Sequence, residues 1–232
     1  MYDDTVKSNG RLPLIGEPAP TFRASTTNGT ISFPNDFAGK WVIFFAHPSD
    51  FTPVCTSEFI AFQNAADEFA KINTALLGLS VGAISSHLGW FDAIRKMTNG
   101  VEIKFPVIAD ANMDVARLYG MIQPDASSTN AVRAVFIIDP TGVIRTILFY
   151  PATLGRNTAE IWRILVGLQT ADAFKVALPV NWMAGDDVLC PAPTTAEELG
   201  QHSDETPWFM TYKKLSKDVI YSKICKQKSD KE

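Results

Sequence analysis

Trp41-Val42-Ile43-Phe44-Phe45-Ala46-His47-Pro48-Ser49-Asp50-Phe51-Thr52-Pro53-Val54-Cys55 holds a transition around which the rest of the chain can be ordered. Its first six residues are apolar and rich in aromatic and β-branched types, the texture of a buried strand. His47 to Phe51 reads as a loop. Thr52-Pro53 reads as a helix start, with a hydroxyl residue at the cap and proline at the first helical position. Phe59, Phe62, Ala66, Phe69 and Ala70 continue the helix at spacings of three and four, and Leu76 to Val81 is the next buried strand. The unit is β-α-β. A second helix is expected from Ser86 to Gly100, a short strand at Phe105 to Ala109, and a helical turn at Met113 to Leu118 stopped by Gly120. Ala134 to Ile138 and Val143 to Tyr150 form a hairpin about Pro140-Thr141-Gly142. Asn157 with Glu160 opens a helix through Gln169. The fold class is therefore α/β, a mixed central sheet flanked by helices.

After about Thr170 the texture changes. Pro179, Pro191, Pro193 and Pro207 interrupt it and no periodicity is sustained, which divides the chain into a domain over 1–170 and a C-terminal arm over 171–232. The arm keeps Trp182, Leu189, Trp208 and Phe209, apolar residues that want a surface to cover, and a partner subunit is the natural one.

At 232 residues, 46% hydrophobic and 20% charged, the chain can bury a core without disulfide or metal staples. The net charge of −4 conceals a basic end: residues 213–232 hold seven Lys and three acids, +4, leaving −8 on the rest. Without interleaved aromatics or a nucleic-acid motif this end reads as a solvated, partly frayed terminus, and no nucleic-acid partner is expected. Met1 to Arg11 lacks the apolar run of a secretory signal, and no segment approaches a membrane span, so a soluble, cytoplasmic protein is expected. Cys55, Cys190 and Cys225 are odd in number and widely spaced, which suits neither a disulfide framework nor a zinc site. His47, His87 and His202 are scattered without a carboxylate cluster, so no metal is expected, and His87 and His202 read as structural.

Cys55 falls in the first turn of the helix after the apolar strand, where unpaired backbone N–H groups and the helix dipole stabilise a thiolate. Disulfide oxidoreductases place C-x-x-C in this context; here Thr52-Pro53-Val54-Cys55 puts a hydroxyl in place of the second thiol. Such a pair cannot close a local disulfide, but the thiolate can attack an oxidant whose oxygen the hydroxyl holds. Peroxide reduction fits that layout. The alternative is a buried, inert cysteine.

The segment from His47-Pro48 through Thr52-Pro53-Val54-Cys55-Thr56-Ser57-Glu58 carries P-x-x-x-T-x-x-C and strongly resembles the active-site loop of peroxiredoxins. Tyr150-Pro151-Ala152-Thr153-Leu154-Gly155-Arg156-Asn157 is similar to the one-cysteine class, in its long-tailed bacterial and archaeal branch. So is Pro179-Val180-Asn181-Trp182 followed by Gly185-Asp186. The resemblance spans nearly the whole chain and weakens after about Pro193. It implies a thioredoxin-like fold with a C-terminal dimerisation arm, and a thiol-dependent peroxidase acting on hydrogen peroxide and organic hydroperoxides with no cofactor. Cys55 would be the peroxidatic cysteine and pass through a sulfenic acid. Thr52 would hold the peroxide, Pro48 would shield the thiolate, and Arg133 would stabilise negative charge. A permanent cation in an apolar strand either faces solvent or is buried opposite an anion, and the family pattern favours burial. His47, Glu58 and Arg156 would support these groups, with His47 either touching Cys55 or packing under the loop. The implied partners are a peroxide, a thioredoxin-, glutaredoxin- or glutathione-like thiol, and a second copy in a homodimer, which a ring such as a decamer could repeat.

The match breaks in informative places. Two-cysteine members carry a resolving cysteine in C-P-x-x-W, where this chain has Leu178-Pro179-Val180-Asn181-Trp182. Long-tailed archaeal members carry cysteines around W-F-C, where it has Trp208-Phe209-Met210. Cys190 and Cys225 remain as resolving candidates, against a buried small hydrophobe for Cys190 and an incidental exposed thiol for Cys225. Lipase-active members need G-D-S-W-G and a nearby histidine; Ala38-Gly39-Lys40-Trp41-Val42 and Phe33-Pro34-Asn35-Asp36 supply neither. A redox sensor or oxidation-triggered chaperone with little turnover is the competing class of function. A chemically inert binding module would need a damaged loop, and Thr52 to Cys55 shows none.

Overall fold

The computed structural model describes residues 12–200 and 207–225, and its contacts divide the chain into two compact units, Met1–Asn157 and Thr158–Glu232. The first unit is built on strands β1 (Phe22–Thr26), β2 (Gly29–Phe33) and β3 (Trp41–Ala46). Helix α1 (Pro53–Lys71), β4 (Thr74–Ser80), α2 (Ile84–Met97) and β5 (Val107–Ala109) follow. The short α3 (Asp114–Leu118) and the hairpin β6 (Arg133–Ile138) and β7 (Ile144–Tyr150) complete it. The seven strands form one mixed sheet in the order β2-β1-β5-β4-β3-β6-β7. β3 pairs parallel with β4 and antiparallel with β6, so the run that begins the active loop is central.

All six residues of β3 are buried because both of its faces are covered. Side chains alternate across a strand, so Phe44 joins Phe22, Phe33, Tyr119 and Phe136 on one face. Phe45 meets Phe59 and Phe62 of α1 and Phe105 on the other. Rings at centroid distances of 4.3–6.3 Å fill both layers and anchor α1 to the strand that precedes it.

The fold is the α/β class expected, with three differences in detail. The N-terminal hairpin β1–β2, joined across Thr27-Asn28, was not anticipated. The helix after Asn157 extends to Phe174 as α4 (Thr158–Phe174). Residues 213–225, the described part of the basic end, hold secondary structure where a solvated, partly frayed terminus was expected. The second unit contains α4, β8 (Val188–Leu189), α5 (Ala196–Gly200), β9 (Tyr212–Lys213) and α6 (Lys217–Cys225). β8 pairs with β9, Ile220 and Ile224 of α6 are buried, and Tyr221 stacks on Trp162 of α4. His202 lies outside the described residues. Among those described, no helix is long and apolar enough to cross a membrane.

Candidate active site

Helix α1 begins at Pro53 with Thr52 in the extended cap position. The Thr52 hydroxyl does not cap the helix; it donates to Ser49 O at 2.9 Å and closes the loop on itself. Phe51 takes a left-handed conformation with φ 56°, which turns the chain from β3 into α1 and leaves its ring exposed. Cys55 is thereby set in the first helical turn, with its side chain fully buried, while Pro48 is buried in the loop above the strand.

Arg133, at the start of β6, is 2% exposed, and its Nη1 lies 3.4 Å from Cys55 Sγ. The same nitrogen donates to Glu58 Oε2 at 2.6 Å, while Nε and Nη2 donate to Ala152 O at 3.0 and 2.7 Å. Glu58 sits three residues after Cys55 on the same face of α1, the spacing that stacks side chains along a helix. It also receives Arg156 through the backbone N–H and Nε at 2.8 and 2.9 Å and through Nη2 at 2.7 Å. Arg156 Nη1 donates to Ala46 O and Ala134 O, and its guanidinium lies over Phe45 and Phe62. Burial alone would raise the Glu58 pKa, but the Arg156 hydrogen bonds and charge, with Arg133, outweigh it and hold it below its usual value. Burial pulls the Arg156 pKa down against the opposing pull of Glu58. Two guanidinium groups and one carboxylate leave one positive charge in the cluster, and the group next to it is the sulfur of Cys55.

His47, Asp50 and His87 form a second cluster beside the first. Asp50 Oδ1 is 2.9 Å from His47 Nε2, and Oδ2 is 2.7 Å from both His87 Nδ1 and Ser86 Oγ. Two of the three histidines expected to be scattered thus meet across a carboxylate. Asp50 gave no signal in the sequence, because two of its three partners, Ser86 and His87, come from the start of α2, 36 and 37 residues away. Burial would raise the Asp50 pKa; the three hydrogen bonds overcome it and hold the carboxyl far below the usual range. Burial lowers the His47 pKa more than the Asp50 contact raises it, so the ring is kept neutral. Its Nδ1 has no hydrogen-bond partner among the described residues, so His47 packs under the loop without bonding to Cys55.

The structure brings Cys55, Arg133, Glu58 and Arg156 together, with Thr52 at the position before the helix that carries Cys55 and His47 and Pro48 buried in the loop leading to it. Cys190 and Cys225 lie in the second unit, the first half-buried with its backbone N–H bonded to Thr211 O, the second exposed at the end of α6. All three cysteines are unpaired.

Comparison with known proteins gives this arrangement its context. Residues 15–147 match the AhpC/TSA family and residues 167–205 match the C-terminal domain of 1-Cys peroxiredoxin. A peroxiredoxin from Methanosarcina mazei is 52% identical over 215 residues, spanning 88% of this chain and 98% of its own length. Peroxiredoxin 2 from Caldanaerobacter subterraneus is 51% identical over 88% of this chain and 94% of its own length. Among solved structures, a yeast mitochondrial 1-Cys peroxiredoxin described with glutathione and thioredoxin systems superposes with TM-score 0.79 at 38% identity, covering 88% of this chain and 100% of the other. A reduced 2-Cys peroxiredoxin from Plasmodium vivax gives 0.69 at 30%, over 76% and 93%. A buried cysteine beside a guanidinium at the head of a helix on a thioredoxin-like sheet is, in these terms, no isolated curiosity: the chain belongs to the peroxiredoxin family of thiol-dependent peroxidases.

Proposed function

We propose that Cys55 is the peroxidatic thiol of a one-cysteine cycle that reduces hydrogen peroxide and small organic hydroperoxides. The observation that carries this is Cys55 Sγ, out of solvent contact and 3.4 Å from Arg133 Nη1 at the head of α1. The thiolate attacks the distal peroxide oxygen; the S–O bond forms, the O–O bond breaks, and the departing hydroxide or alkoxide takes up a proton. Two external thiols then return the sulfenic acid to thiol, giving their own disulfide and water. Arg133 faces the sulfur and the charge that develops on the peroxide, with donors already held in place by Glu58 and Ala152 O. Thr52 Oγ1 gives its proton to Ser49 O, which leaves its lone pairs to accept from the peroxide O–H. Pro48 keeps water from the sulfur. Glu58 and Arg156 fix Arg133, and His47 supports the loop from below.

Thioredoxin-, glutaredoxin- or glutathione-like thiols are the proposed reductants, in keeping with the yeast relative described with glutathione and thioredoxin systems. Three unpaired cysteines suit a reducing compartment, and the cytoplasm is the proposed location. The second unit exposes Val180, Met183, Trp208, Phe209 and Tyr212, an apolar set suited to a homodimer partner that a ring could repeat. Sedimentation showing only monomer at micromolar concentration with Cys55 reduced would remove that assembly.

The deciding assay is peroxide consumption by wild type and by Cys55→Ser, Cys190→Ser and Cys225→Ser, with dithiothreitol and separately with a thioredoxin system. Loss only in Cys55→Ser under both reductants is the expected result. Retained dithiothreitol activity with loss of thioredoxin-supported turnover in Cys190→Ser or Cys225→Ser would make that residue a resolver instead. Oxidation of the wild type that stops after one turnover with every donor would indicate a sensor.

A further inference from the structure

Asp50 stands between two imidazoles in a setting that the peroxidase chemistry does not use. One donor atom each from His47, Asp50 and His87 lies within 4.8 Å of the others. The two ring side chains are 0% exposed and that of Asp50 is 5% exposed. We propose that these three side chains form a binding site for one borderline divalent cation of the zinc class. Two imidazoles and a carboxylate are the donor set that such ions select over the hard, all-oxygen cations.

The ion-free cluster rearranges locally to coordinate an ion. Tetrahedral zinc with bonds of about 2.0–2.1 Å needs donors about 3.3 Å apart, so Asp50 draws back from between the rings and the widest separation closes by up to about 1.5 Å. Each residue supplies one ligand atom, a carboxylate oxygen from Asp50 and a ring nitrogen from each histidine. In the hydrogen-bonded state each ring turns an N–H toward Asp50. On coordination the facing nitrogens are bare and each proton sits on the opposite nitrogen, His47 Nδ1 and His87 Nε2. Both are buried and without a hydrogen-bond partner among the described residues, so the bonds to the ion take the place of the two bonds to Asp50 that fix the present tautomers. Ser86 Oγ, 2.7 Å from Asp50 Oδ2 and on the part-exposed side of the cluster, can orient the carboxylate or approach the ion from the fourth direction.

Because thiolates also bind zinc, the test uses the full chain with Cys55, Cys190 and Cys225 all replaced by Ser, a background that has no peroxidase activity to confuse with binding. Equilibrium dialysis against Zn²⁺ is expected to give one ion per chain, and Co²⁺ to give visible ligand-field bands. Asp50→Asn and His87→Gln on that background are each expected to weaken binding by about tenfold or more, and His202→Gln to leave it unchanged. Ring-nitrogen NMR of the parent background supplies a readout independent of those variants: zinc is expected to shift His47 and His87 and not His202. Absence of stoichiometric binding, binding that survives both Asp50→Asn and His87→Gln, or a zinc shift confined to His202 would each overturn the site.

Discussion

Every guanidinium nitrogen of Arg133 is engaged, with Nη1 spanning Cys55 Sγ and Glu58 while Nε and Nη2 both hold Ala152 O. A lysine keeps the charge but has one nitrogen on a flexible stem and cannot satisfy both sides of the site. Arg133→Lys is therefore expected to slow the reaction of Cys55 with hydrogen peroxide on the order of 100-fold, the scale of losing one preorganised donor to developing charge. Stopped-flow oxidation of the reduced enzyme measures it, and a loss smaller than about threefold would show that charge alone suffices. The residues of this site differ in how openly the sequence displays them. Pro48, Thr52 and Cys55 lie within eight positions of one another, so their spacing is a motif. Arg133 stands out as a cation in an apolar run. Asp50 sits inside the same motif and still passes unnoticed, because what distinguishes it is contact with Ser86 and His87, which only the packing of α2 against the loop creates.

At the level of strands and helices, the chain advertises itself where one element is strongly patterned. β3 and α1 are legible because six apolar residues run into a hydroxyl-proline start and a helix with buried Phe59, Phe62 and Phe69. The β1–β2 hairpin is not, since few of its residues are buried and the alternation is faint, although Asn28-Gly29 was a usable turn signal. Helix α6 buries only Ile220 and Ile224, a single pair at spacing four, too little to read as a period. Gly78 was equally silent in the sequence, yet the sheet depends on it. It pairs with Val107 across β4 and β5, and a Cβ at Gly78 would meet Val107 Cγ2 at 3.0 Å. Gly78→Ala is expected to destabilise the protein by about 1–3 kcal/mol through overpacking. Adding Val107→Ala should recover part of that loss, giving a coupling of about 1 kcal/mol in a double-mutant cycle of urea midpoints. Additive losses would mean that the cost at Gly78 does not come from Val107.

Across the whole molecule, ionisable groups buried in and beside the active loop tie stability to pH in a definite direction. His47 has a lowered pKa, so below its ordinary value of 6.5 the unfolded chain takes up a proton that the folded chain refuses. That contribution to stability is complete above pH 6.5 and is lost as pH falls toward the folded-state value. Glu58 and Asp50 are also lowered, from 4.5 and 3.8, and add losses of the same sign at more acid pH. Asp110 opposes them, because burial raises its pKa and the folded chain holds that proton more tightly than the unfolded one. The net expectation is a plateau near neutrality and a decline beginning below pH 6.5, to which His47 contributes at most about 1.4 kcal/mol per pH unit. Urea unfolding at fixed protein concentration, at pH 7.5, 6.5 and 5.5, measures the slope, with the concentration held constant because association would otherwise shift the midpoint. His47→Gln retains a donor for Asp50 but cannot titrate. It is expected to be less stable than wild type at neutral pH and to lose stability more slowly on acidification. If the variant and the wild type fell in parallel between pH 6.5 and 5.5, the buried imidazole would not be the group that links the loop to the proton.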